Sequence, residues 1–231
     1  EASFRPVFVQ RIDELIRRES NAVRKALARA AKGGGVQEFR AWLDQFYEAN
    51  AVFMASNMRP AFQSLAEAIY QHAGDEIGLV DGRDVGEWVM GWSERFGTEE
   101  AGASLGQISA IMLAAPLFGD TATAVEVRLS EWEAGRATTV AHREIVGVGA
   151  KSTLLAYGDG GVQRKVWQTV GDTCPLCRRM NGRTVSISSP FVARGEAVDP
   201  DDGETAPLVV ERNFSAPPLH RGCDCTVVAG F

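Results

Sequence analysis

Cys174-Pro175-Leu176-Cys177, answered much later by His220-Arg221-Gly222-Cys223-Asp224-Cys225, is the stretch on which the reading of this chain turns. All four cysteines lie in these two clusters, in the last quarter of the 231 residues. A Cys-x2-Cys knuckle presents two sulfurs from one tight turn, and a distant His-x2-Cys-x-Cys supplies further soft donors. Five candidate ligands, Cys174, Cys177, His220, Cys223 and Cys225, thus compete for the four places of a tetrahedral structural Zn2+ site, with Cys225 favoured because it leads directly into a final strand. Two disulfides, free buried thiols or a redox Cys-x-x-Cys are the competing readings. A disulfide framework belongs to short secreted chains that lack a core, whereas 45% of this chain is hydrophobic. No stretch resembles a signal peptide. A thioredoxin-type motif needs a βαβ unit around it, and none is readable.

Working outward from the knuckle, the period of the sequence is two. Val166, Gln168 and Val170 alternate with Trp167 and Thr169, and Thr184 and Ser186 alternate with Val185 and Ile187, so two short strands flank the knuckle. Asn181-Gly182 is the turn signal before the second strand, and Thr226-Val227-Val228 reads as the last one. The intervening 188–219 is rich in Pro, Gly and Asp and weakly periodic. A loop of that length is either functional or disordered, and here a metal is expected to close it.

Upstream the period becomes helical. Phe8, Ile12, Leu15, Ile16, Val23 and Leu27 recur on one face. Lys32-Gly33-Gly34-Gly35 ends that helix. A second carries Phe39, Trp42, Leu43, Phe46, Tyr47, Phe53 and Met54, read as core, with Pro60 expected to kink or restart it. The two should form an antiparallel hairpin. A further helix from about Asp84 carries Trp88 and Trp92, also read as core. Gly119-Asp120-Thr121 reads as a stop followed by an N-cap, and the pattern from Ala122 predicts one long helix to about Tyr157, with a bend or close contact at its glycines. Gly158-Asp159-Gly160-Gly161 is the best boundary. The fold class expected is α+β: a mostly helical N-terminal bundle or arm over 1–157, then a small zinc-stapled β module over 162–231.

The net charge of −6 argues against a protein that coats nucleic acid through bulk electrostatics. Basic and acidic residues balance over 164–231, so the whole negative charge sits upstream. The richest apolar run, Ile108 to Phe118, is too short to span a bilayer and contains Pro116. No membrane partner is expected.

At this point the order of motifs can be compared with a family. Trp167-Gln-Thr-Val-Gly-Asp-Thr-Cys174-Pro-Leu-Cys177, then Asn181-Gly182-Arg-Thr-Val, then Pro190-Phe191, then Pro217-Pro218-Leu-His220-Arg-Gly-Cys223-Asp-Cys225 resembles the C-terminal domain of the phage Mu F-like minor head proteins, the phage head-morphogenesis family. The likeness covers 167–228 well and 137–157 loosely. Where family members carry an Ala-Arg-Thr-Glu-like run, this chain has Ala141-His142-Arg143-Glu144. The helical section 4–132 is similar to the C-terminal extensions of some phage portal proteins. The resemblance implies a virion-assembly role at the portal vertex, with portal and head proteins as partners, transient contact with DNA, and residence in the virion after assembly in the bacterial host cytoplasm. The start at Glu1 rather than Met is read as that of a segment from a longer chain.

No catalytic residue is assigned. His72 reads as a cation near a helix end, and His142 shares no helix face with its neighbours Arg143 and Glu144. Asp199, Asp201, Asp202 and Glu204 read as a solvated acidic loop without EF-hand spacing. Arg178, Arg179 and Arg183 crowd the knuckle and can touch phosphate. Phe191 and Phe214 stand out as apolar residues on a polar segment, so they join these arginines as the expected binding residues. A metal-dependent enzyme or effector acting on nucleic acid is the alternative: it requires a metal that keeps a water in an open position.

Overall fold

A computed structural model describes residues 3–115, 118–171 and 174–230. The protein is mostly helical with a small antiparallel β module. In chain order the elements are α1 (Arg5–Arg29), α2 (Gly35–Ile77), α3 (Gly86–Ala114), α4 (Phe118–Glu131), α5 (Ala137–Asp159), β1 (Arg164–Gln168), α6 (Pro175–Met180), β2 (Thr184–Ser186), β3 (Ala197–Val198), β4 (Leu208–Val209) and β5 (Thr226–Gly230). Among the described residues no helix is long and apolar enough to cross a membrane. Pro116, like Asp172 and Thr173 before the knuckle, lies outside the described residues.

The chain forms two compact units. The first gathers Pro6–Phe62 and Gly86–Ala141. Within it α1 buries Phe8, Ile12, Leu15, Ile16, Val23 and Leu27, the face its periodicity selects. The glycines after it do break the helix: a wide π-type turn at Ala30–Gly34 leads to Gly35 at φ 62°. α2 then runs back against α1 as an antiparallel hairpin. Phe8 meets Phe62 with ring centroids 5.6 Å apart, and Arg18 Nη1 donates to Asn50 Oδ1 at 2.6 Å. Phe62 in turn meets Phe96 of α3 at 5.4 Å.

Several expectations are corrected in this unit. α2 continues through Pro60 without restarting, because the buried row Met54, Met58, Phe62 and Leu65 keeps helical spacing across it. α4 begins at Phe118, so Asp120 is in its first turn rather than capping it, where its charge still favours the helix dipole. The long helix predicted from Ala122 is present: α4 and α5 run on from one another through a second π-type turn at Trp132–Arg136 that contains Gly135, with helical backbone on both sides of it. Not all of the aromatic stripe is core. Phe39, Leu43 and Tyr47 are buried, whereas Trp42 and Phe46 stack half-exposed at 4.7 Å and Phe53 lies half-exposed under the Arg18 guanidinium. Trp88 and Trp92 are likewise a half-exposed pair at 5.4 Å, because Val89, Ser93 and Phe96 take the inward face of α3.

The second unit gathers Gln63–Val85 and His142–Phe231 with residues at the chain start. The end of α2 and most of α5 therefore belong with the β module, and the glycine run at 158–161 lies inside a unit. Physical contacts explain why. Tyr70 donates its hydroxyl proton to Asp159 Oδ2 at 2.6 Å, and the Arg83 guanidinium pairs with the same carboxylate. Tyr157 bonds Glu76 Oε2 at 3.2 Å and accepts from the amide of Ala229 in β5. A Cβ on Gly160 would come within 2.2 Å of Ile77 Cδ1, so this glycine is a site of close packing rather than a free linker.

The β module is a three-stranded antiparallel sheet in the order β2-β1-β5, with Lys165 opposite Val185 and Trp167 opposite Val227. Lys165 and Trp167 face inward, and both are 0% exposed. The 188–219 segment is ordered around its own apolar residues. β3 pairs with β4, Val192 bridges Phe214, and Phe191, Val192, Val198, Val210 and Leu219 are buried.

Candidate metal centre

The knuckle is built by a short helix. Cys174 is extended at the position before α6 (φ −64°, ψ 161°), Pro175 takes the first helical position, and Arg178 N donates to Cys174 O at 3.0 Å. Proline suits this place because its missing N–H would have no helical partner there. Cys177 follows three residues after Cys174, so both sulfurs face one side. The β1–β2 ladder closes the loop that carries α6: Gly182 N donates to Trp167 O at 2.8 Å, and Asn181 Oδ1 accepts from Thr169 N at 3.1 Å.

The second cluster forms a turn of its own. Cys223 N donates to His220 O at 3.3 Å, with Gly222 at φ 81°, a conformation that a side chain would strain. Cys225 then enters β5. The register Gln168↔Thr226 sets the start of β5 beside the end of β1, which is where the knuckle begins.

All five predicted donors come together. Cys174 Sγ lies 2.9 Å and Cys177 Sγ 3.0 Å from His220 Nε2, and Cys177 Sγ lies 3.6 Å from Cys223 Sγ. Two overlapping triads result, Cys174/Cys177/His220 and Cys177/Cys223/Cys225, and Cys177 belongs to both. The four thiols are free, and 3.6 Å is far from the ~2.05 Å of a sulfur–sulfur bond. These residues could bind a metal ion. Cys177, Cys223 and Cys225 are buried, while Cys174 and His220 are partly open.

Sequence reading did not find the groups that surround this cluster. His220 Nδ1 donates to the Arg221 carbonyl at 2.8 Å, which leaves the Nε2 lone pair facing the sulfurs, as a metal-binding imidazole requires. Hydrogen bonds from Cys177 and Cys225 draw the Cys223 thiol down, whereas its bonds with Cys223 and Cys225, together with burial, push Cys177 up. Against the pull of its bond with Cys177, the Cys223 thiol and burial push Cys225 up to about 12, and the nearby Trp167 indole offsets only part of that rise. Asp224 lies 3.5 Å from His142 Nε2, and Arg5 Nη2 approaches His142 Nδ1 at 3.1 Å. Guanidinium only donates, so Nδ1 is the acceptor and the imidazole proton sits on Nε2 facing Asp224.

The expected binding residues fare unequally. Arg178 is bound to Asp201 through two bonds of 2.8 Å, while Arg179 and Arg183 are exposed on the surface. Phe191 is a correction: it is 0% exposed and packs edge-to-face on Trp167 at 5.3 Å, so it is core and not a docking residue. Phe214 is half-buried, with the Arg212 guanidinium over its ring. Asp202 accepts from Glu204 N, Thr205 N and Thr205 Oγ1, so it fixes a turn. His72 faces Glu76 one helical turn on. No protein family, curated protein or solved structure matches this chain.

Proposed function

We propose that the cluster holds one structural Zn2+ and that the protein is a phage or prophage head-morphogenesis protein, a portal-associated minor head component. Five convergent donors, all protein side chains, carry the first half. A tetrahedron with Zn–S bonds of ~2.3 Å has edges of roughly 3.8 Å, close to the Cys177–Cys223 separation of 3.6 Å. Four of Cys174, Cys177, His220, Cys223 and Cys225 would hold the ion, and its binding energy would close the module over a small core. A catalytic zinc keeps an open place for water, whereas here the donors outnumber the places. That favours a structural role over the metal-dependent enzyme acting on nucleic acid.

The second half rests on the ordered motif run from Trp167 to Cys225. Its members have physical work in this fold: Trp167 lies against Cys225, Pro175 starts α6, Asn181-Gly182 turns into β2, and Gly222 shapes the His-x2-Cys turn. Portal and head proteins are the proposed partners, with DNA contacted transiently, in the virion and in the host cytoplasm during assembly. The half-exposed pairs Trp42–Phe46 and Trp88–Trp92 offer aromatic surface for such contacts.

The test is to delete the coding segment from the phage or prophage and examine its particles by electron microscopy. Heads lacking DNA or of aberrant form are expected. Normal, filled heads, or nuclease or transferase activity of the purified protein that survives mutation of the cysteines, would overturn the reading.

A further inference from the structure

Far from the cysteines in sequence, the helical unit buries a polar layer that its proposed role does not use. Glu19 of α1 is 0% exposed, and among the described residues neither of its carboxyl oxygens meets a hydrogen-bond partner. The Tyr47 hydroxyl of α2 is likewise buried and unpartnered. Glu100 and Ser104 of α3 and Arg136 of the second π-type turn complete the layer. Arg136 Nη2 donates to Glu100 Oε2 at 2.7 Å and to Glu100 O at 3.2 Å, and Nη1 donates to Ser104 Oγ at 2.7 Å. Buried unsatisfied groups are rare enough that each calls for an explanation, and π-type turns often mark functional positions.

The charges decide what that explanation is. Two buried carboxyls, Glu19 and Glu100, face one guanidinium, and its bonds are spent on Glu100 and Ser104. A second buried negative charge would have no counter-ion of its own. We propose that Glu19 is a proton-carrying switch of the helical unit: the bundle closes with Glu19 as a neutral carboxylic acid beside the Arg136–Glu100 pair, and loosens when that proton passes to solvent.

The groups that act on Glu19 from the packed elements are Tyr47 from α2, Ser104 and Glu100 from α3, and Arg136 from the turn. Burial pushes the Glu19 carboxyl above its ordinary 4.5, against the pull of Arg136 and the two hydroxyls. The closed state therefore binds a proton that the open state releases. Closure is favoured below the raised value and weakens as pH climbs from 4.5 towards it.

Infrared spectroscopy and amide-exchange protection factors of the full chain test this. The wild type should keep a carboxylic-acid C=O band at pH values above 4.5 that Glu19→Gln removes. Protection of α1 and α3 should fall as pH rises in the wild type and stay flat in Glu19→Gln. Glu100→Gln is the second arm. It frees Arg136 to pair with Glu19, so the band should disappear and the pH dependence with it, even if Glu19→Gln does not fold. No acid band in the wild type, an unchanged band in Glu100→Gln, or the same pH dependence in Glu19→Gln would overturn the proposal.

Discussion

Cys174 Sγ lies 2.9 Å from His220 Nε2 although 46 residues separate them. That contact joins the two clusters across a segment ordered by its own apolar residues, and Cys177 is the donor common to both triads.

Loss of Cys177 should therefore cost more than loss of any other donor. The full chain is expected to bind one equivalent of zinc, Cys177→Ser to lose it, and Cys225→Ser to keep it at reduced affinity. Zinc binding supplies about 10–16 kcal/mol in small zinc-finger peptides, so chelation should unfold the β module and change Trp167 fluorescence. Metal analysis with a chelator competition checks this, and stoichiometric zinc in Cys177→Ser would contradict it.

Phe191→Ala should destabilise the second unit by about 3–5 kcal/mol, the usual cost of removing a buried aromatic side chain. A docking residue would instead leave stability unchanged. Chemical denaturation followed by Trp fluorescence separates the two.

Lys165 gives a pH signature. Its ammonium donates to Ser215 O at 2.9 Å inside the module, and burial, with Lys151 nearby, lowers its pKa from 10.5 to about 8. Between those values the unfolded lysine holds a proton that the folded one has released. Stability contributed by this group therefore rises with pH from about 8 to 10.5, by roughly 3 kcal/mol at most. Lys165→Met should remove that rise and leave the protein as stable or more stable at pH 7. Denaturation midpoints across pH, compared between the two proteins, provide the measurement.

Gly97→Ala should destabilise the helical unit by about 2–3 kcal/mol. The added Cβ would meet the Ala51 carbonyl oxygen at 2.1 Å and Ala55 Cβ at 3.1 Å, so α2 and α3 would have to separate. Thermal denaturation should show the loss while zinc stoichiometry stays unchanged.

Local chemistry explains which features were legible. The α1 face, the break at Gly33–Gly35, the strands beside the knuckle and all five donors follow from spacing and from side-chain types that few other roles suit. Phe191 was misread because a lone aromatic in a polar, proline-rich segment has no periodicity to reveal its face. Only the Trp167 ring it packs against does so. Trp88 and Trp92 erred the other way, since a four-residue spacing says that two rings share a side but not which side the fold covers.

By itself, the sequence determined the main helical and β segments and the identity of the soft donors that cluster, because backbone preference and donor chemistry act over a few residues. The tertiary structure alone decided that α2 and α5 contribute to the unit holding the cysteines, that Lys165 and Glu19 are buried, and that Cys177 is shared between the triads. Those outcomes depend on which distant side chains exclude water together, and burial is a property of the packed chain rather than of any one stretch of it.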